Sequence, residues 1–302
     1  MDKKRKSIWL YLVLVFAITW TVELFFVCQH YGDTTSTDTT VAAQTTAIVA
    51  MCMFLPAISV LFTRLLLGDW SDCRLRLHLK GNAAPYLIGW FGPLVLIVLG
   101  AVLWFVLNPQ EFQVTTPQTV PDAPAAVQWI VMALLLLVAP LLNLVPCFGE
   151  EWGWRGFLMP RLCEYHSFNT SALITGVVWG LWHAPIIAVG HNYGKVWGED
   201  PLWMVLAAIG AMVVFCVVTT FLFGLIAEKT QSTWPAVLAH GCLNGAAGLA
   251  LMFTPAANNL AGGNPYNTFI GPCPMGIIGG FAFVIVALWI AIGMARAGRN
   301  CR

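Results

Sequence analysis

Residues 148–157 read FGEEWGWRGF and place three charged side chains, Glu150, Glu151 and Arg155, in a strongly apolar part of the chain. Ionisable groups inside a membrane segment are energetically costly, and they normally face a protein interior or a water-filled cavity. The whole sequence is 59% hydrophobic and only 10% charged, with a mean hydropathy of +0.76. This composition is unlike that of soluble domains and predicts an integral membrane protein. The segment 148–157 is therefore the first candidate for a functional site.

Apolar runs long enough to cross a bilayer predict an all-α polytopic protein with about eight transmembrane helices around a polar intramembrane cavity. The predicted spans are residues 8–27, 47–67, 85–107, 126–149, 170–190, 202–226, 232–254 and 275–295. No soluble domain is apparent, and we find no internal repeat of the kind that many transporters carry. We therefore expect residues 1–302 to form a single membrane domain.

The distribution of basic residues predicts the orientation of these spans. Of the 15 Lys and Arg residues, every one except Lys195 falls in a segment that the eight-span arrangement places on the same side. Basic residues collect on the cytoplasmic side of membrane proteins, so both termini are predicted to be cytoplasmic. We expect a bacterial plasma membrane, with the Thr-rich segment 30–46 as an external loop. The net charge of +1 points to the lipid bilayer and to no nucleic acid as a partner.

Nine cysteines are scattered along the chain without a Cys-x-x-Cys pair, which argues against a metal ribbon or a disulfide framework. Cys28 and Cys273 both fall near the predicted outer face, but the simpler interpretation is two unrelated apolar residues. Cys147 and Cys242 are the nearest alternatives for a covalent nucleophile, although neither is placed convincingly beside a base.

Spacing within the charged segment assigns different roles to its two carboxylates. Glu151 and Arg155 lie four residues apart on one helical face, so they are expected to form a structural salt bridge. Glu150 is rotated by about 100° and is left without that partner. In an apolar cavity such a carboxylate can accept a proton from water and later return it to a leaving amine. Gly153 and Gly156 are expected to let a neighbouring helix approach closely.

Two later spans add polar side chains at similar predicted depths. His183 follows Trp179 and Trp182, and a single histidine of this kind is usually a packing residue. His240 and Asn244 lie four residues apart on one face, where the simplest interpretation is a polar clamp between helices. Taken together with Glu150, however, two imidazoles and an amide are suited to adding water to a carbonyl and stabilising the oxyanion. Glu23, at the outer end of the first span, is expected to be interfacial.

Three short motifs follow one another on successive spans, namely Glu150-Glu151-x-x-x-Arg155, Trp179-x-x-x-His183 and His240-x-x-x-Asn244. In this order they resemble the CAAX protease and bacteriocin-processing (CPBP, or Abi) family of intramembrane endopeptidases. The resemblance covers a motif-bearing core of about residues 130–250. Trp179 departs from the family pattern, in which Phe is commoner, and we expect this change to alter packing more than chemistry.

The resemblance implies catalytic roles for Glu150, His183, His240 and Asn244, with Glu151 and Arg155 in support. Glu150 would activate water, and His240 with Asn244 would form the oxyanion site. It also implies a cavity open to the cytoplasm and the membrane. The implied partner is a peptide or a membrane-anchored, in some cases prenylated, protein. The implied process is CAAX-type processing, maturation of a bacteriocin or signalling peptide, or self-immunity.

Other interpretations of the same residues stay open. A zinc metalloprotease could use Glu150, His183 and His240 as ligands and keep a fourth position for water. No His-Glu-x-x-His motif is present, and an amide such as Asn244 suits an oxyanion better than zinc. We therefore favour a mechanism without a cofactor, with zinc as the alternative. Outside enzymes, a transporter or a non-catalytic binding protein could carry the same polar cluster.

Overall fold

The computed structural model describes residues 2–28, 47–194, 198–255 and 269–298. Over these residues the chain forms helices and no β-strand, so the predicted all-α class is confirmed. The predicted external loop at residues 30–46 lies outside the described residues. So does Lys195, the one basic residue that the eight-span arrangement places on the other side.

The helices are α1 (Lys3–Val22, continued by a π-helical turn at Glu23–Val27), α2 (Leu55–Leu67), α3 (Ala83–Leu107), α4 (Ala125–Leu142), α5 (Leu144–Gly153, continued by a π-helical turn at Trp154–Leu158), α6 (Met159–Leu162), α7 (Phe168–Trp182), α8 (Ala184–Ala188), α9 (Leu202–Thr230), α10 (Trp234–Ala246) and α11 (Phe281–Arg296). Short 3-10 turns occupy Pro109–Glu111 and Leu249–Phe253.

Six described helical stretches are long and apolar enough to cross a membrane, namely Lys3–Val27, Ala47–Leu67, Ala83–Leu107, Ala125–Leu142, Leu202–Thr230 and Trp234–Phe253. The protein is therefore a polytopic helical membrane protein. The spans predicted at 170–190 and 275–295 coincide with shorter helices, since α7 has 15 residues and α11 has 16. The count of eight stays a prediction.

The predicted fourth span, 126–149, is interrupted at Asn143, where α4 ends and α5 begins. Pro140 lies inside α4, and Pro146 lies in the first turn of α5. Proline lacks a backbone N–H and interrupts the helical hydrogen bonding, which accounts for the break. The two glutamates consequently belong to a separate short helix rather than to the end of a continuous span.

Most of the basic segments meet at one end of the helix bundle. Three ion pairs join the N-terminus, the connection between α2 and α3, the region after α5 and the end of α9. They are Lys4–Glu164, Arg161–Asp69 and Arg74–Glu228, with N···O distances of 2.6, 2.9 and 2.5 Å. One face of the bundle thus collects these charges, as the orientation argument requires. Which side of the membrane it faces stays a prediction.

Cys28 and Cys273 have free thiols, as expected, and so do the buried Cys147 and Cys242. Cys163 is bonded in a disulfide, which the spacing of the cysteines did not indicate.

Glycines allow α5 to lie directly against α2. A Cβ atom on Gly149 would be 2.5 Å from the carbonyl oxygen of Met53 and 2.7 Å from Cα of Phe54. A Cβ on Gly153 would be 2.5 Å from Cβ of Pro56, and one on Gly156 would be 2.7 Å from Oγ1 of Thr233. The close approach expected at Gly153 and Gly156 is therefore observed. This close packing holds α5, the helix that carries both glutamates, in the interior of the protein.

We expect Gly149→Ala to lower the free energy of unfolding by about 1–3 kcal/mol, because the new methyl group meets backbone atoms that cannot rotate away. Gly210→Ala in α9 is the matched control, since a Cβ there meets nothing within 4 Å. The control should be neutral or slightly stabilising. Thermal unfolding of the purified variants in detergent measures both effects, and equal stability of the two variants would contradict the packing described here.

Candidate active site

Glu151 is the centre of a buried network that joins three helices. Its Oε1 accepts hydrogen bonds from Arg155 Nη1 at 2.8 Å and from His240 Nδ1 at 2.9 Å. Arg155 Nη2 also donates to Thr220 Oγ1 at 2.7 Å, and Thr220 belongs to α9. Glu151 and Arg155 are both 0% exposed. The predicted salt bridge is present, and it connects α5 and the following π-helical turn to α9 and α10.

Aromatic rings complete the environment of Arg155. Its guanidinium carbon lies 4.2 Å from the ring centroid of Trp179 and 5.2 Å from that of Phe223. Such cation–π contacts favour a guanidinium in a site that water does not reach. The Arg155 side chain is therefore held by a carboxylate, a hydroxyl and two aromatic faces.

Glu150 has a different partner from its neighbour. It is 2% exposed, and its Oε2 accepts a 2.6 Å hydrogen bond from the indole Nε1 of Trp179. A phenylalanine at position 179 has no N–H group and cannot make this bond. The indole thus contacts the candidate base directly, a contact that the expected change in packing did not include.

His183 lies at the break between α7 and α8. Its Nδ1 is 2.8 Å from the backbone carbonyl oxygen of Trp179. Because a carbonyl can only accept, Nδ1 carries a proton, and in the neutral ring Nε2 is then an acceptor. The ring also packs edge-to-face on Trp182, with centroids 4.7 Å apart. The imidazole is consequently fixed in one tautomer and one orientation.

Asn244 lies one helical turn beyond His240 on α10 and is exposed. Its Nδ2 lies 3.6 Å from Sγ of Cys147. Cys147 is 0% exposed and Cys242 is 1% exposed, and neither thiol lines the cavity described below. The amide of Asn244 is therefore better placed than either thiol to contact a ligand.

All four predicted catalytic residues line one cavity of about 430 Å³. Glu150, His183, His240 and Asn244 contribute from α5, the α7–α8 break and α10. Apolar and aromatic side chains supply most of the remaining wall, including Trp179, Trp182, Ile186, Met212, Phe215 and Leu243. A concave apolar site with a few convergent polar groups is the usual form of a ligand-binding site.

Three further polar residues line this cavity that the sequence argument had not assigned to it, namely Glu23, His191 and Asn192. Glu23 was expected to be interfacial, but it is 0% exposed, so that expectation is wrong. The available signal was a single acidic residue within an apolar span. His191 follows α8 in an irregular segment, and no spacing rule links it to the other motifs.

The cavity extends away from the face that carries the ion pairs. Lys4 of that face and Glu23 of the cavity lie near opposite ends of the helical segment Lys3–Val27, about 29 Å apart along its axis at 1.5 Å per residue. Similarly, Met212 lies in the first half of α9, whereas Glu228 of the ion-pair face lies in its last turn. The opening to the cytoplasm implied by the resemblance stays an expectation.

The fold and the site together define a polytopic helical membrane protein with a buried carboxylate and imidazole cluster. Residues 125–246 match the family model described as type II CAAX prenyl endopeptidase Rce1-like. The chain is also 26% identical over 114 residues to CAAX prenyl protease 2 of Methanococcus maripaludis, a match that covers 38% of each chain. These similarities agree with the predicted resemblance to the CPBP family.

We expect Arg155→Met to lower the free energy of unfolding by about 3–5 kcal/mol, since it leaves the buried Glu151 carboxylate without its cation. Lys4→Met is the matched control, because the Lys4–Glu164 pair has side chains that are 45% and 31% exposed. Removing such a pair should cost less than about 1 kcal/mol. Chemical unfolding in detergent measures both costs, and a similar cost for the two variants would refute the central role of Arg155.

Proposed function

We propose that the protein is an intramembrane endopeptidase in which Glu150 activates water to cleave a peptide bond of a membrane-associated substrate. The contrast between the two glutamates is the main support for this mechanism. Glu151 is bound by Arg155 and His240, whereas Glu150 lines the cavity beside His183. One carboxylate is thereby structural, and the other remains available for proton transfer.

In the first step Glu150 takes a proton from a water molecule, and the resulting hydroxide attacks the carbonyl carbon of the peptide bond. The neutral imidazole of His183 helps to orient that water, because its Nε2 can accept a hydrogen bond while Nδ1 donates to the backbone. Glu150 then returns the proton to the leaving amine. The products are a carboxylic acid and an amine, which ionise to a carboxylate and an ammonium group, and no covalent intermediate with the protein forms.

The tetrahedral intermediate carries negative charge on the former carbonyl oxygen. Asn244 can donate to that oxygen through Nδ2, and His240 can donate through Nε2 when both ring nitrogens carry a proton, with Nδ1 donating to Glu151. A buried carboxylate behind an imidazole stabilises the protonated ring. Donors held in place before the reaction stabilise the oxyanion without further reorganisation.

The ligand geometry favours this mechanism over the zinc alternative. Across the part of the chain that the structure describes, no group of three His, Cys, Asp or Glu side chains is arranged to hold a metal ion. We therefore propose that Glu150, His183 and His240 act as base and hydrogen-bonding groups rather than as zinc ligands. Cleavage in the presence of a chelator is expected to persist, and cleavage that returned only with added zinc would contradict this proposal.

We expect Glu150→Gln to abolish peptide cleavage with little effect on folding, because glutamine can still accept the Trp179 hydrogen bond but cannot take a proton. Purified protein in detergent, tested on apolar C-terminal peptides with and without a prenyl group, provides the measurement. Glu199→Gln is the control, since Glu199 is exposed and is not among the lining residues of the cavity. Full cleavage by Glu150→Gln would refute the mechanism and favour a binding or transport role.

Trp179→Phe should lower kcat by about 10- to 100-fold, with a smaller change in KM. Hydrogen bonds to charged groups contribute about 1.5–3 kcal/mol, and the bond to Glu150 orients the base rather than the substrate. Steady-state kinetics of the two proteins separates these effects. An unchanged kcat would show that the indole N–H has no role in positioning Glu150.

A further inference from the structure

Glu23 is a second buried carboxyl group in the wall of the cavity. The side chain is 0% exposed, and across the described residues neither carboxyl oxygen has a hydrogen-bond partner. Glu150 and Glu151, by comparison, both accept hydrogen bonds from side-chain donors. A buried polar group without a partner is costly, so this group calls for an explanation other than stability.

The local backbone places Glu23 in the cavity wall. Glu23–Val27 forms a π-helical turn at the end of α1, and such turns occur frequently at functional sites. The turn packs beside α8, with Val27, Cys52 and Ile186 forming a small apolar cluster next to it. These side chains offer no strong donor to the carboxyl group.

The charge of the cavity wall indicates what kind of ligand group would satisfy Glu23. The described lining residues include two carboxyl groups, Glu23 and Glu150, and no Lys or Arg. Arg155 is outside this lining and is occupied by Glu151 and Thr220. Among the described residues, the wall therefore offers no fixed cation to bind a carboxylate, whereas it holds two carboxyl groups that can accept from a positively charged donor.

We propose that Glu23 is a specificity-determining residue that binds a primary ammonium group of the peptide substrate. The group is either a lysine side chain or a free N-terminal amine, since both present the same three N–H donors. This inference rests on the proposed function, and it assigns to the substrate an ammonium group at the end of the cavity away from the ion-pair face. The two oxygens of Glu23 then receive donors that the described residues do not supply.

Binding to the full-length protein in non-ionic detergent tests the proposal without requiring cleavage. The probes are a short Leu-rich peptide with a central lysine and blocked termini, the same peptide with norleucine in place of lysine, and the norleucine peptide with a free N-terminus. The measurements use Glu150→Gln protein, so that a peptide is not consumed, with and without an added Glu23→Gln substitution. Glu199→Gln in the same background is the control.

We expect at least one ammonium-bearing peptide to bind about 10- to 100-fold more tightly than the blocked norleucine peptide, as for other hydrogen bonds between charged groups. The peptide that shows the preference identifies the source of the ammonium group. Glu23→Gln should remove the preference and leave binding of the norleucine peptide unchanged, whereas Glu199→Gln should keep it. Because the carboxyl group has no hydrogen-bond partner among the described residues, Glu23→Gln should not lower the unfolding temperature.

Three results would overturn the proposal. One is equal binding of all three peptides, and another is a preference that survives Glu23→Gln. The third is loss of norleucine-peptide binding in Glu23→Gln, which would make Glu23 a structural residue. Cleavage by the wild-type protein is measured separately. A preference without cleavage would contradict the proposed function alone, and cleavage without a preference would contradict this inference alone.

Discussion

The buried Glu151 carboxylate is the group on which the arrangement of the site depends. It binds Arg155 and His240 through one oxygen, and Arg155 extends the network to Thr220. Removing one member of such a network strands a charge in an apolar interior. The same contacts fix the imidazole of His240 relative to α5, so the stability of the fold and the geometry of the site have a common origin.

Adjacent residues with the same side chain acquire different roles because a helix turns by about 100° per residue. Glu151 points into the network, and Glu150 contacts Trp179 and lines the cavity. Trp179 links the two environments, since its N–H bonds Glu150 while its ring lies against the guanidinium of Arg155. A substitution at Trp179 therefore changes the surroundings of both carboxylates. An argument from packing alone does not predict this effect.

Helical periodicity predicted the parts of the site that lie within one element. The i and i+4 spacing gave the Glu151–Arg155 pair, and composition gave the helical membrane fold. Contacts between elements were beyond that reasoning, because they depend on how helices pack. The Trp179–Glu150 bond, the burial of Glu23 and the contact between His240 and Glu151 all belong to this class. Pro140 and Pro146 indicated a kink in the predicted fourth span. The sequence alone did not show that the break lies at Asn143.

A structure of the Glu150→Gln variant with an uncleaved peptide bound would test the central claim most directly. The account predicts that the scissile carbonyl carbon lies beside position 150, with its oxygen within hydrogen-bonding distance of His240 Nε2 and Asn244 Nδ2. A water molecule should lie between the glutamine side chain and that carbon. A peptide bound elsewhere, or a metal ion held jointly by His183 and His240, would contradict the account.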